Sequence, residues 1–227
     1  IIPDPFGSCH DSYGSHMSSL LLDGLDNLGI KYIHKTAHET YEKGILNDQT
    51  LKILDEHKKI GDKIEELTGQ QKFQTIRPYF PECHNCHKLY TTESYDYIKD
   101  EKKVLYRCID SEIGSDWDKN KDKNKKYFGC GHEGESIIGK DLGKLAWKVE
   151  FAARWKAFDI RFEAYGKDIM DSVKVNDWNS YEILDFNHPH HIRYEMFLDE
   201  GGKKISKSLG NVITSQKCLE FGNSKSI

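Results

Sequence analysis

A pair of cysteines two residues apart, Cys83-His84-Asn85-Cys86, constrains the fold more than any other feature of the chain. Two intervening residues let both thiolates point into one turn, the spacing of a zinc knuckle. Cys108 and Cys130 follow, each after 21 intervening residues. Cys130 lies in Gly129-Cys130-Gly131-His132, where glycine permits the tight backbone a knuckle needs. The expected ligands are Cys83, Cys86, Cys108 and Cys130, with His132 as an alternative to Cys108; His84 and His87 compete less well. A closed four-ligand site is structural rather than catalytic. Six cysteines in 227 residues are too few for a disulfide scaffold, and Cys9 and Cys218 read as single thiols.

On either side of this stretch the pattern is that of an α/β protein. Met17, Leu20, Leu21, Leu25 and Leu28 recur at helical spacing, and Gly29 supplies a stop. Ile30-Lys31-Tyr32-Ile33-His34 reads as a short strand. Leu51, Leu54, Ile60, Ile64 and Leu67 predict a second amphipathic helix, capped by Asn47-Asp48 and ended by Gly69. Past Gly143, a helix is expected from Trp147, Phe151, Trp155 and Phe158. Ile160, Phe162 and Ala164 alternate as a strand ending at Gly166. Ile192, Tyr194, Met196 and Leu198 alternate as another, ending in Asp199-Glu200-Gly201-Gly202. The tract from Asp118 to Lys126 is polar, lacks an apolar period and reads as a solvated loop. Asp116, Asp118 and Asn120 alternate as in a calcium loop, but Lys121 stands where the turn needs Gly and Tyr127 where a bidentate Glu is needed.

Two segments carry ligand chemistry. In Gly201-Gly202-Lys203-Lys204-Ile205-Ser206-Lys207-Ser208-Leu209-Gly210-Asn211, glycines free the backbone, lysines present point charges and serines present hydroxyls. That suits a mobile loop closing over a triphosphate, although a lysine-rich surface turn is the plainer alternative. Its spacing is not that of a Walker loop. Tyr165-Gly166-Lys167-Asp168 ends the other strand, and ligands of open α/β sheets bind beyond the carboxyl ends of strands. Gly166 would permit close approach and Asp168 would meet ribose hydroxyls, though Gly-Lys-Asp is also an ordinary turn. His188-Pro189-His190-His191 reads as an exposed loop, stiffened by its proline and taken to lack an acidic or thiol partner. Trp147 and Trp155, at helical spacing, read as core.

Composition removes whole classes of function. With 37 acidic against 33 basic residues and a pI near 6.3, the surface cannot grip nucleic acid all over, so any polyanion contact must be local. No run approaches the roughly 18 apolar residues of a membrane span. The opening Ile1-Ile2-Pro3-Asp4-Pro5-Phe6-Gly7 has neither the basic nor the apolar region of a signal peptide, so a cytoplasmic location away from membranes is expected.

Lys204-Ile205-Ser206-Lys207-Ser208 is similar to the KMSKS loop of class I aminoacyl-tRNA synthetases, with Ile in the place of Met. Further matching pieces are Pro3-Asp4-Pro5-Phe6-Gly7 through Ser15-His16-Met17, the Cys83 to Cys86 pair and Cys130-Gly131-His132-Glu133-Gly134. Lys144-Leu145-Ala146-Trp147-Lys148-Val149, Arg154-Trp155-Lys156 and Phe162 through Asp168 complete the set. With these in family order across nearly its whole length, the chain resembles class I lysyl-tRNA synthetase, the form typical of archaea and some bacteria.

The resemblance implies an α/β fold, the second half of a Rossmann-like catalytic domain with a zinc-binding connective insertion. Residues 1–37 and 144–227 would belong to the catalytic domain and residues 38–143 to the insertion. It implies ATP, Mg2+ and Zn2+ as cofactors, L-lysine and lysine tRNA as partners, and a monomer. Lys204 and Lys207 would neutralise phosphate charge as pyrophosphate leaves, while Ser206 and Ser208 shape the loop. Gly166 and Asp168 would meet the adenosine ribose or the lysyl moiety, and Trp147 and Tyr194 would line the lysine pocket.

Three departures stand beside it. Ile169 follows Gly-Lys-Asp where the family usually has His, and the second thiolate pair is split by the loop from Ile109 to Gly129. The His-Ile-Gly-His signature and the helical anticodon-reading region do not occur, so the chain alone is expected to be inactive. A methionyl-tRNA synthetase piece and a non-catalytic zinc-binding RNA module are the competing readings.

Overall fold

The computed structural model describes residues 2–113, 125–206, 210–212 and 214–221. Two compact units emerge, one from Ile1–Lys35 with Met196–Ile227 and one from Thr36–Glu195.

In the first unit, α1 (Tyr13–Asn27) opens on Ser12, whose hydroxyl accepts from the Ser15 N–H at 3.0 Å. It ends before Gly29 at φ +69°, where the expected stop lies. Its leucines do recur at helical spacing, yet Met17, Leu20 and Leu21 are exposed. Residues 30–35 are not a strand. A strand needs a partner ladder for its N–H and C=O groups, and this segment pairs with none among the described residues; Ile33 is 88% exposed. The unit also holds α8 (Ser215–Phe221), which packs on α1.

The second unit begins with α2 (Ala37–Glu42), capped by Thr36 through the Glu39 N–H. The single helix expected after residue 47 is two helices, α3 (Asn47–Asp55) and α4 (His57–Thr68), hinged at Glu56. Asn47 and Asp48 are not the cap. Leu46 takes that position because its side chain is buried in the core, and burial outweighs capping preference. Gly69 closes α4 in the left-handed conformation, as expected. After α5 (Lys72–Thr75) come β1 (Tyr79–Pro81), β2 (Thr92–Ile98), β3 (Lys103–Cys108), β4 (Ser111–Ile113), β5 (Lys125–Tyr127), β6 (Glu133–Ile137) and β7 (Gly143–Leu145). All their pairings are antiparallel: β1 with β7, β2 with β3 with β6, and β4 with β5. On β3, Val104, Tyr106 and Cys108 alternate inward, the period of a half-buried strand. Lys125 and Lys126 thus belong to a strand rather than to the expected loop, because Ile113 and Glu112 offer them a ladder. Asp116, Asp118, Asn120 and Lys121 lie outside the described residues.

The α/β texture returns with α6 (Trp147–Ala157), β8 (Phe162–Gly166), a single 3-10 turn (Lys167–Ile169), α7 (Met170–Glu182) and β9 (His190–Tyr194). β8 and β9 pair in parallel, Phe162 opposite His190 and Gly166 opposite Tyr194, so β8–α7–β9 is a β–α–β unit. Helices α3, α4, α6 and α7 share one core through Ile53, Ile60, Ile64, Val149, Trp155 and Val173. Two expectations need correction here. The strand through Ile192 ends at Tyr194, because the chain turns into a separate hairpin in which Leu198 bridges Lys204. His190 and His191 lie in β9 rather than in a loop, and Asp177 of α7 supplies an acidic partner to His191 and His188. Among the described residues, no helix is long and apolar enough to cross a membrane.

Candidate functional site

The four expected cysteines meet. Cys83 and Cys86 sit on the turn after β1, Cys108 ends β3, and Cys130 precedes β6. All four sulfurs lie within 4.8 Å of one another. Cys83 is 3.6 Å from Cys130, and Cys86 is 3.7 Å from Cys108. Thiolates bound at about 2.3 Å around a tetrahedral zinc stand about 3.8 Å apart, so the set fits that ion as it is. The first knuckle is closed by the Cys83 N–H on the Lys88 carbonyl (3.0 Å) and the His87 N–H on the Cys83 carbonyl (2.8 Å). At the second, a Cβ on Gly129 would fall 2.4 Å from the Ile109 carbonyl carbon, and Gly131 adopts φ +76°. The Cys130 N–H points at the Cys108 sulfur at 3.4 Å, and the Thr91 hydroxyl is 3.2 Å from it.

Burial pushes the Cys86 thiol up, whereas a hydrogen bond from the Asn85 side chain holds Cys130 below the ordinary thiol range. A central divalent cation is the charge that would let all four ionise together. His132 lies outside the group. Its carbonyl accepts from the Cys108 N–H, and its ring is 6.0 Å from that of Tyr106.

The first unit contains a donor set that sequence reasoning missed. Cys9 is not a single thiol: its sulfur lies 3.2 Å from His10 Nδ1, 3.3 Å from His16 Nδ1 and 3.4 Å from Asp4 Oδ2. Asp4 is buried and accepts from the Phe6 N–H at 2.9 Å and the His10 N–H at 3.1 Å. The first of these, with the thiol and the nearby His16, draws its carboxyl down to about 2. One sulfur, two imidazoles and a carboxylate form a zinc-type donor set. The available signal was Cys9-His10 followed by His16 on the first turn of α1.

At the carboxyl ends of β8 and β9, Gly166, Asp168 and Tyr194 converge. A Cβ on Gly166 would stand 2.7 Å from Asp168 Oδ1 and 3.5 Å from the Tyr194 ring. The missing side chain therefore lets a carboxylate and an aromatic ring close on one backbone position. Lys167 pairs with Glu195 at 3.1 Å on the same rim. Trp147 opens α6 and is 56% exposed, so it is not a core residue, unlike the buried Trp155. Its ring packs on Phe151, and its carbonyl accepts from Asn176.

The lysine-rich loop belongs to the first unit. Asp199 accepts from the Gly201 and Lys203 N–H groups at 3.0 and 2.9 Å. Asn211 donates to Asp199 at 2.8 Å and accepts from the Ser206 N–H at 2.7 Å. Lys204 is exposed at the base of this clamp. Lys207 and Ser208 lie outside the described residues.

Across residues 1–227 the chain matches the family model described as tRNA synthetases class I (K). It is 60% identical to the Lysine–tRNA ligase of Cenarchaeum symbiosum over 226 residues, all of this chain and 41% of that protein. It is 33% identical to the Lysine–tRNA ligase of Haloarcula marismortui, over 97% of this chain and 38% of that protein. Likeness to the Lysine–tRNA ligase of Rickettsia bellii is 30%, with the same two coverages. The chain thus spans about two fifths of the length of the curated relatives it matches.

Proposed function

The chain belongs to the class I (K) tRNA synthetases, and on that premise we propose that it forms part of a lysine–tRNA ligase. The lysine carboxylate attacks the α-phosphorus of ATP, giving lysyl-adenylate and releasing pyrophosphate. The terminal ribose hydroxyl of lysine tRNA then takes the lysyl group and AMP leaves.

In this reading Lys204 and Lys207 carry positive charge to the phosphates as pyrophosphate departs, where charge that follows the transition state is worth most. Ser206 and Ser208 shape the loop. Gly166 and Asp168 receive the adenosine ribose or the lysyl group, and Tyr194 and Trp147 line the lysine pocket. Mg2+ would supply further charge to the phosphates. Zn2+ in the Cys83–Cys86–Cys108–Cys130 set would hold the connective insertion, residues 38–143, together. Residues 1–37 and 144–227 serve the catalytic domain of a cytoplasmic, monomeric enzyme.

The observation that carries the reading is the clamped hairpin. Asp199 and Asn211 hold the backbone at Lys203 and Ser206 while Lys204 remains exposed, which a plain surface turn does not need. The test is lysine-dependent adenylate formation in a protein of the relatives' full length carrying this chain. Lys207→Ala should slow the single-turnover rate by roughly 10²–10³-fold with little change in lysine affinity, and Ser206→Ala should cost less. An unchanged Lys207→Ala rate removes the catalytic role of the loop.

A further inference from the structure

We propose that Asp177, His188 and His191 form a third metal site, one for a divalent transition ion of zinc type that ties α7 to the start of β9. The ligand atoms of all three lie within 4.8 Å of one another. Asp177 Oδ1 is 2.8 Å from His191 Nε2 and 3.8 Å from His188 Nδ1. Nitrogen and oxygen ligands at about 2.0 Å around a tetrahedral zinc stand about 3.3 Å apart, and these two distances bracket that value.

The donors come from separate elements whose positions are set independently. Asp177 is fixed by helix α7, and His191 by the parallel pairing of β9 with β8 opposite Glu163. The His191 ring is held between Trp155 and Tyr165, at 5.3 and 5.5 Å between centroids. Its Nδ1 is buried with no hydrogen-bond partner, so Nε2 is its polar outlet and it faces the carboxylate. The His188 ring lies parallel to that of His191, with an interplanar angle of 2°. His188 is half-exposed, which leaves a coordination position for water on that side.

A plain His191–Asp177 hydrogen bond accounts for one of these rings, whereas His188 Nδ1 lies 2.9 Å from the Pro189 carbonyl, a contact to the adjacent residue that an ion would displace. Two imidazoles and a carboxylate are the donor set for zinc and its neighbours in the transition series.

Native mass spectrometry of the 227-residue chain in saturating Zn2+ tests the site. His188→Ala should bind one Zn2+ fewer than the unchanged chain, with that step weakened more than about 10²-fold, since loss of even an indirect contact to a ligand costs 10–100-fold. The loss should add to that of Cys108→Ser, which marks a separate site. Zn2+ should also raise the melting temperature of the unchanged chain more than that of His188→Ala. Equal stoichiometry in the two proteins overturns the proposal. Should His188→Ala fail to fold, anomalous scattering at the zinc edge from Zn2+-soaked crystals of the unchanged chain decides it. A peak between Asp177, His188 and His191 supports the site, and its absence overturns it.

Discussion

Asn176 should be the most sensitive polar position in the second unit. It is fully buried on α7, and its amide serves the neighbouring helix in both directions. Oδ1 accepts from the Ala152 N–H at 2.9 Å, and Nδ2 donates to the Trp147 carbonyl at 2.9 Å and the Ser172 carbonyl at 2.8 Å. Asn176→Ala removes all three bonds. At about 1 kcal/mol net for each, the loss is about 3 kcal/mol. For a unit of this size that corresponds to a fall of about 6–12 °C in melting temperature.

Urea unfolding followed by tryptophan fluorescence reads the change, since Trp147, Trp155 and Trp178 all lie in this unit. Asn176→Asp sharpens the test. It keeps the acceptor but turns a carboxylate toward two carbonyls, so at neutral pH it should be no better tolerated than Ala. Its stability should rise as pH falls, because burial beside carbonyls favours the protonated acid. A loss under about 1 kcal/mol for Asn176→Ala, or an Asp variant as stable as the original, would refute the reasoning.

Cys108→Ser should lower bound zinc by one per chain and unfold the β2–β3–β6 sheet at lower urea; elemental analysis with circular dichroism checks both. Asn211→Ala should slow lysine-dependent pyrophosphate exchange about tenfold in a full-length protein by releasing the Ser206 backbone, with zinc content unchanged. The Asn211 amide, then the Lys203 and Gly201 N–H groups, hold the Asp199 carboxyl below its ordinary value. The hairpin should therefore keep this contribution above the ordinary carboxylate range and lose it as pH falls through the lowered folded value. Amide shifts of Gly201 and Lys203 followed through an acid titration report it, and Asp199→Asn should abolish the dependence.

Local rules carry what the sequence alone determined about this protein. The stops at Gly29 and Gly69, the helix from Trp147, the strand ending at Gly166 and the paired thiols of Cys83 and Cys86 all depend on neighbours within a few residues. Periodicity and knuckle spacing are properties of such short stretches. Residues 30–34 read as a short strand from the sequence, but a strand exists only where another edge arrives to pair with it. Leu46 displaced the expected cap because burial, set by distant helices, outweighed a local preference.

The sites divide in the same way. Cys83 and Cys86 announce themselves by spacing, whereas Asp4 joins Cys9, His10 and His16 only once the chain turns back on α1. Asp177 reaches His188 and His191 only because α7 packs beside β9. Ligand geometry is a distance in space, and sequence separation measures it only while the intervening chain is too short to choose its path.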